Sequence, residues 1–204
     1  MPQKFPYVKL EDVALVRAGI PSREIDRPSD DGVIPVKVIN PAALIGTYLS
    51  KVEGEDVSLP GPVATRHGLK EGDIITPSRG VFRASLLDKE PEQLSGGFQL
   101  VAGPLCHVVR VDAEKAYPAY VAWVLSTPTV HAKMTASARG AAVRLYSRDA
   151  LAEIDFPLPP LDMQRKLARV ARDAQALMVS RRNEVRLEFA ITTQELSEIL
   201  GLNA

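Results

Sequence analysis

The sequence holds one cysteine, Cys106, in 204 residues. A lone thiol excludes internal disulfides and any zinc site built from cysteines, and it suits a reducing cytosol. Surplus charge is missing too: 25 Lys and Arg stand against 25 Asp and Glu, a formal net charge of +0. A neutral chain has no general positive coat, so binding to nucleic acid must use a local basic patch. No stretch approaches the ~18 uninterrupted apolar residues of a membrane span. Met1 to Leu10 has no apolar signal-peptide core. We therefore expect a cytoplasmic protein without membrane attachment. What is present is ordinary for a globule: 46% hydrophobic and 25% charged residues, which excludes a disordered or purely coiled-coil chain.

Two regions differ in pattern. Residues 1–157 are broken and mixed. Strand-like runs are Val33–Ile39, Asp73–Thr76, Val81–Leu87, Phe98–Ala102 and Leu105–Val111, punctuated by Pro60-Gly61, Ser78-Arg79-Gly80 and Ser95-Gly96-Gly97. Helical spacing predicts a short helix over Leu10–Ala18, stopped by Gly19, and another over Tyr117–Leu125. Thr127 and Pro128 supply an N-cap and a first-turn proline for a further helix to about Ala138. Strands and helices without strict alternation indicate an α+β globule.

Residues 158–204 read as a helical appendage. Pro157-Leu158-Pro159-Pro160 must be extended. From Asp162, the expected N-cap, to Leu200 there is neither proline nor glycine. That length spans ~58 Å if unbroken. Apolar positions recur at three-four spacing through Leu167, Val170, Ala174, Leu177 and Met178, and continue to Val185. The rhythm falters at Arg181 and Glu188, and Thr192-Thr193 is a weak helical spot where a bend is expected. So long a stripe needs a partner helix, unless it folds back as two ordinary helices.

Catalytic constellations are wanting. His67, His107 and His131 have no second ligand at helical or strand spacing. Cys106 and His107 are neighbours in a strand-like run and so point to opposite faces. Gly96-Gly97 precedes a strand rather than a helix, so it is no phosphate loop. Asp73 with Lys70 and Arg79 resembles part of a nuclease site but lacks the second carboxylate. We expect no catalytic residues, no metal and no cofactor on this chain.

Charge distribution is more informative. From Lys115 to Arg148, 34 residues, there is no Asp or Glu, although 25 of the 204 residues are acidic. The window carries Lys115, Lys133, Arg139, Arg144 and Arg148, with His131 and many Ser and Thr. A second basic group is Ser78, Arg79 and Arg83. Arginine and hydroxyl side chains on glycine-bearing loops are what phosphate and base-edge contacts require. The plainer reading is a solvated basic face, or ion pairs to the acidic 88–92 loop. Ser78, Arg79, Arg83, Lys133, Arg139, Arg144 and Arg148 are the candidate DNA contacts.

Several segments then resemble, in order, the specificity subunits of type I restriction–modification systems. They are Leu10-Glu11-Asp12-Val13 with Gly19, Ile34-Pro35-Val36, Leu69–Ile75 with its Gly72-Asp73, and Tyr117-Pro118-Ala119-Tyr120 followed by Leu125-Ser126-Thr127. The most specific resemblance runs from Arg139-Gly140 through Leu151–Ile154 to Phe156-Pro157-Leu158-Pro159-Pro160-Leu161-Asp162-Met163-Gln164. Met163 departs from the family's usual Glu before the Gln.

The resemblance implies a target recognition domain over 1–157 and a spacer or dimerisation helix over 158–204. It also implies double-stranded DNA and a methyltransferase subunit as partners. That subunit, not this chain, would bind S-adenosylmethionine, and a restriction translocase would join the same frame. Family members carry two recognition domains and two spacers, whereas this sequence resembles half a subunit. Two copies related by a two-fold would restore the whole, so a homodimer is expected. Its seam would be Leu167, Val170, Ala174, Leu177, Met178 and Val185 in an antiparallel coiled coil. Antiparallel pairing brings the basic first part (Arg165, Lys166, Arg169, Arg172, Arg181, Arg182, Arg186) against the acidic end (Glu184, Glu188, Glu195, Glu198). The DNA target would then be a split palindrome. The alternatives left open are an interaction scaffold or mimic that binds the methyltransferase without reading DNA, and a stand-alone nuclease or modification enzyme.

Overall fold

The computed structural model describes residues 5–26, 32–49, 52–140 and 143–199. Along the chain lie β1 (Tyr7–Lys9), α1 (Leu10–Val13), β2 (Ala14–Ala18), α2 (Ser22–Ile25), β3 (Val33–Ile39) and a 3-10 turn (Pro41–Ala43). Next come β4 (Glu55–Pro60), α3 (Gly61–His67), β5 (Asp73–Pro77), β6 (Ser85–Leu86), α4 (Pro91–Ser95), β7 (Gln99–Ala102) and β8 (Cys106–Val111). The chain closes with α5 (Pro118–Leu125), α6 (Pro128–Ser137), α7 (Arg148–Ala152), β9 (Asp155–Pro157) and α8 (Leu161–Ile199). This is the mixed α+β architecture with a long C-terminal helix that the residue pattern predicts. Met1–Arg165 is one compact unit and Lys166–Ala204 another.

In the first unit, β2-β8-β5-β6 form a sheet whose β2/β8, β8/β5 and β5/β6 pairs are all antiparallel. A second sheet, β4-β3-β7, pairs β3 antiparallel to β4 and parallel to β7. β1 and β9 make a small antiparallel ribbon. Alternation along the strands splits the core. Ile39, Leu100, Ala102, Cys106 and Val108 enter one apolar cluster, while Val36, Val38 and Val101 enter the other. The two sheets meet where Gly19 approaches Gly103. A Cβ on Gly19 would lie 2.0 Å from the Gly103 carbonyl oxygen, so only glycine fits there.

Three expectations need correction. Leu10–Ala18 is not one helix: a single turn to Val13, capped by a Lys9 N–H to Asp12 Oδ2 bond of 2.8 Å, gives way to β2, which pairs with β8 from Ala14↔Val111 to Ala18↔His107. Long-range pairing outweighs local spacing here. Of Val81–Leu87 only Ser85 and Leu86 are strand, because Phe82 and Arg83 turn aside to contacts of their own. The last helix begins at Leu161, one residue before the expected N-cap. It runs unbroken to Ile199, with no fold-back; Thr192 and Thr193 return their hydroxyls to the carbonyls of Glu188 and Phe189 at 3.0 and 2.8 Å. The Leu200 end of the predicted helix lies outside the described residues.

Gln164 explains the most specific stretch of sequence. It is 1% exposed; its Oε1 accepts from Tyr117 N–H at 2.8 Å and its Nε2 donates to the Pro159 carbonyl at 2.7 Å. Tyr120 Oη donates to the Pro157 carbonyl at 2.6 Å. The proline run is therefore pinned to the start of α5 by two buried polar side chains.

Asp73 serves the fold. It is 1% exposed and takes a two-pronged bond from Arg110, Nε to Oδ1 at 2.8 Å and Nη2 to Oδ2 at 2.6 Å, across the β5/β8 register. Arg110→Ala removes both prongs of that bond from a buried carboxylate and should cost about 3 kcal/mol of stability. Urea unfolding should show a lower midpoint at unchanged slope. Adding Asp73→Asn to the same chain should recover part of the loss.

Candidate nucleic-acid interface

The two basic groups, separate in sequence, are one structure. The 78–80 loop and the 139–146 loop are laced together by backbone bonds. Tyr146 N–H donates to Ser78 O at 2.8 Å and Gly80 N–H to Arg144 O at 2.8 Å. Arg139 and Leu145 exchange bonds of 3.0 and 2.8 Å, and Leu145 bridges to Arg79 as well. Gly80 has φ +87°, the left-handed conformation that glycine adopts without strain.

This lacing gathers Arg79, Arg139 and Arg144 on exposed positions, where they form no ion pair among the described residues. Arg148, which opens α7, is also exposed and lies 3.6 Å from Asp149, its one ion-pair partner among the described residues. Ser78 contributes its backbone to the lacing and is half-buried. The remaining two candidates are otherwise engaged. Arg83 Nη1 donates to the Leu44 carbonyl at 2.8 Å, and Lys133 is ion-paired with Asp155. The Lys133 ammonium holds the Asp155 carboxyl below the usual carboxylate range. Among the described residues, Arg79, Arg139 and Arg144 form no ion pair to the 88–92 loop. Among the described residues, Arg79, Arg139 and Arg144 are therefore exposed cations without an ion-pair partner.

Four residues that spacing did not single out hold the loops from beneath. Tyr146 and Phe82 meet edge-on with centroids 5.4 Å apart, and Phe82 meets His131 of α6 at 5.5 Å. His107 Nε2 donates to the Tyr146 carbonyl at 3.0 Å. His107 thus faces away from Cys106, whose thiol burial pushes up to about 12. The acid-free window contains Tyr146 and His131, but no sequence period ties it to Phe82.

His131 makes the loop base sensitive to acid. Burial lowers its pKa, and its Nε2 is buried without a hydrogen-bond partner among the described residues. His67, packed near Arg66 and Arg17, is lowered as well, by burial first. The unfolded chain takes up these protons at about pH 6.5, the folded chain only below it. Stability is thus complete above about 6.5 and falls as pH drops through the folded values. Comparing urea midpoints at about pH 7.5 and about pH 5.5 should show the fall, and His131→Gln should make it smaller.

Among the described residues no three His, Cys, Asp or Glu side chains could hold a metal ion, and no helix is long and apolar enough to cross a membrane. In the second unit, Val170, Leu177, Met178 and Val185 are 67%, 63%, 71% and 63% exposed. Ala174 is exposed too and Leu167 half-buried. Phe189, at 72%, extends this apolar series beyond the predicted seam.

No family model and no curated protein matches the sequence. Solved structures do match. The HsdS subunit from Thermoanaerobacter tengcongensis superposes with a TM-score of 0.61 at 20% identity, over 98% of this chain and 48% of that one. A chain from a structure addressing complex assembly and conformational transition of the type I R-M system gives 0.61 at 15% identity, over 98% and 44%. This chain spans about half the length of each. It has the fold of half an HsdS subunit of a type I restriction–modification system.

Proposed function

We propose that the chain is a non-catalytic DNA-recognition subunit of the specificity class: it reads a DNA half-site, docks a methyltransferase and pairs with a second copy through α8. The observation that carries the reading is the laced loop pair, which presents Arg79, Arg139 and Arg144 without counter-charges among the described residues, on a fold shared with HsdS. Exposed guanidinium groups held by backbone bonds between two loops can engage phosphates singly or guanine edges by two parallel bonds. Residues 1–157 would recognise DNA and 158–204 would serve as spacer.

Val81, Val143 and Leu145, 69%, 51% and 51% exposed, lie on the same loops and favour the second reading, a scaffold that meets protein there. Salt separates the two. Three or four phosphate contacts per protomer give a log–log slope of affinity against salt of about −3 per protomer. Titrating duplex DNA at several salt concentrations should return such a slope. Absence of DNA binding, with salt-insensitive binding to a methyltransferase, would establish the scaffold. A methyltransferase reading frame beside this one would support docking in either case.

A further inference from the structure

Tyr146 is where the two basic loops are joined, and it touches both. It is 4% exposed. Its N–H donates to Ser78 O at 2.8 Å, its phenol Oη donates to Gly80 O at 2.8 Å, and its carbonyl accepts from His107 Nε2 at 3.0 Å. Its ring is seated against Phe82, itself 3% exposed. Packing alone does not call for a tyrosine, since phenylalanine fills the same space. What the hydroxyl adds is a second hold on Gly80, whose N–H is already bound to Arg144 O at 2.8 Å. Gly80 is thereby fixed from both sides, immediately after Arg79 and opposite Arg144.

We propose that Tyr146 is a positioning residue for DNA reading, its phenol setting the register of Arg79 against Arg139 and Arg144. The inference rests on the DNA-recognition reading above. Attraction between an arginine and the phosphate backbone varies slowly with position and is sequence-independent. A two-pronged contact to a base edge demands a guanidinium held in one place, so preorganisation bears on discrimination more than on general affinity. The phenol–Gly80 bond should therefore matter for the selected sequence and hardly at all for arbitrary DNA.

The test is Tyr146→Phe, which keeps the ring, the Phe82 contact and the backbone bonds while removing one hydroxyl. The probes are a duplex enriched by the wild-type chain from a randomised library and a scrambled duplex of the same composition. The variant should bind the enriched duplex about three- to tenfold more weakly, the equivalent of one net hydrogen bond, and the scrambled duplex equally well. In the free protein, amide hydrogen exchange at Gly80 and Tyr146 should speed up by a similar factor. Equal binding of the enriched duplex by variant and wild type overturns the proposal, as does an equal loss on both duplexes. If the wild type enriches no sequence, the DNA reading itself has failed. The exchange rates then decide the loop clamp alone: faster exchange supports it, and unchanged exchange overturns it.

Discussion

Replacing Arg79, Arg139 and Arg144 together by alanine should weaken duplex DNA binding by more than about a hundredfold, with no loss of thermal stability. Each base-edge contact is worth ~1–3 kcal/mol, and each phosphate contact removes about one from the salt slope. Three such losses exceed about 3 kcal/mol even when neighbouring effects overlap, and every 1.4 kcal/mol is tenfold in affinity. Stability should stand because all three side chains are exposed and unpaired among the described residues. The controls are specific. Arg83→Ala and Lys133→Ala should change DNA affinity little, since Arg83 is bound to the Leu44 carbonyl and Lys133 to Asp155. Titrations of the triple variant and the two controls against one duplex check the pattern; a triple variant that binds as wild type places the interface elsewhere.

Leu177→Asp should turn a dimer into a monomer at tens of micromolar protein. Leu177 is 63% exposed on α8, within an apolar series from Val170 to Val185 that three-four spacing sets along one side of the helix. In an isologous antiparallel pair the substitution enters the seam twice, and each copy buries a carboxylate without a partner. The single chain tolerates it, because the position is solvated there. Helical circular dichroism of the isolated chain should be unchanged while sedimentation shows the lower mass. A wild-type chain that sediments as a monomer at tens of micromolar removes the homodimer.

Much of the fold could be read from local pattern. Val33–Ile39, Asp73–Thr76 and Leu105–Val111 are close to β3, β5 and β8, and Thr127-Pro128 opens α6 with Thr127 accepting from Val130 N–H. Elements whose existence depends on a distant partner could not. β4, Glu55–Pro60, is a polar edge strand: Glu55, Asp56 and Ser58 are exposed, only Leu59 is fully buried, and Asp56 pairs with Lys37 across the register. Charge at an edge strand protects the edge and hides the strand from hydrophobic patterning. β1 exists because β9 lies against it, nearly 150 residues later. α2, α3, α4 and α7 are short turns of helix below the length that spacing reveals.

The candidate site was legible only as charge. Residue type marked Arg79, Arg139, Arg144 and Arg148, but equally Arg83 and Lys133, since composition does not say which cation has a carbonyl or carboxylate within reach. Nor could spacing join the 78–80 and 139–146 loops. Their union is made by backbone bonds and by Tyr146, Phe82 and His131, which an apolar-pattern reading assigns to core.

Sequence selection from randomised duplexes, with the purified chain as bait, tests DNA recognition most directly. A recognition subunit acting as a homodimer should enrich an inverted repeat: two identical half-sites separated by an unread gap of several base pairs. The triple arginine variant should enrich nothing. Recovery of no preferred sequence by the wild type, or of an asymmetric one, would contradict a homodimer that reads DNA.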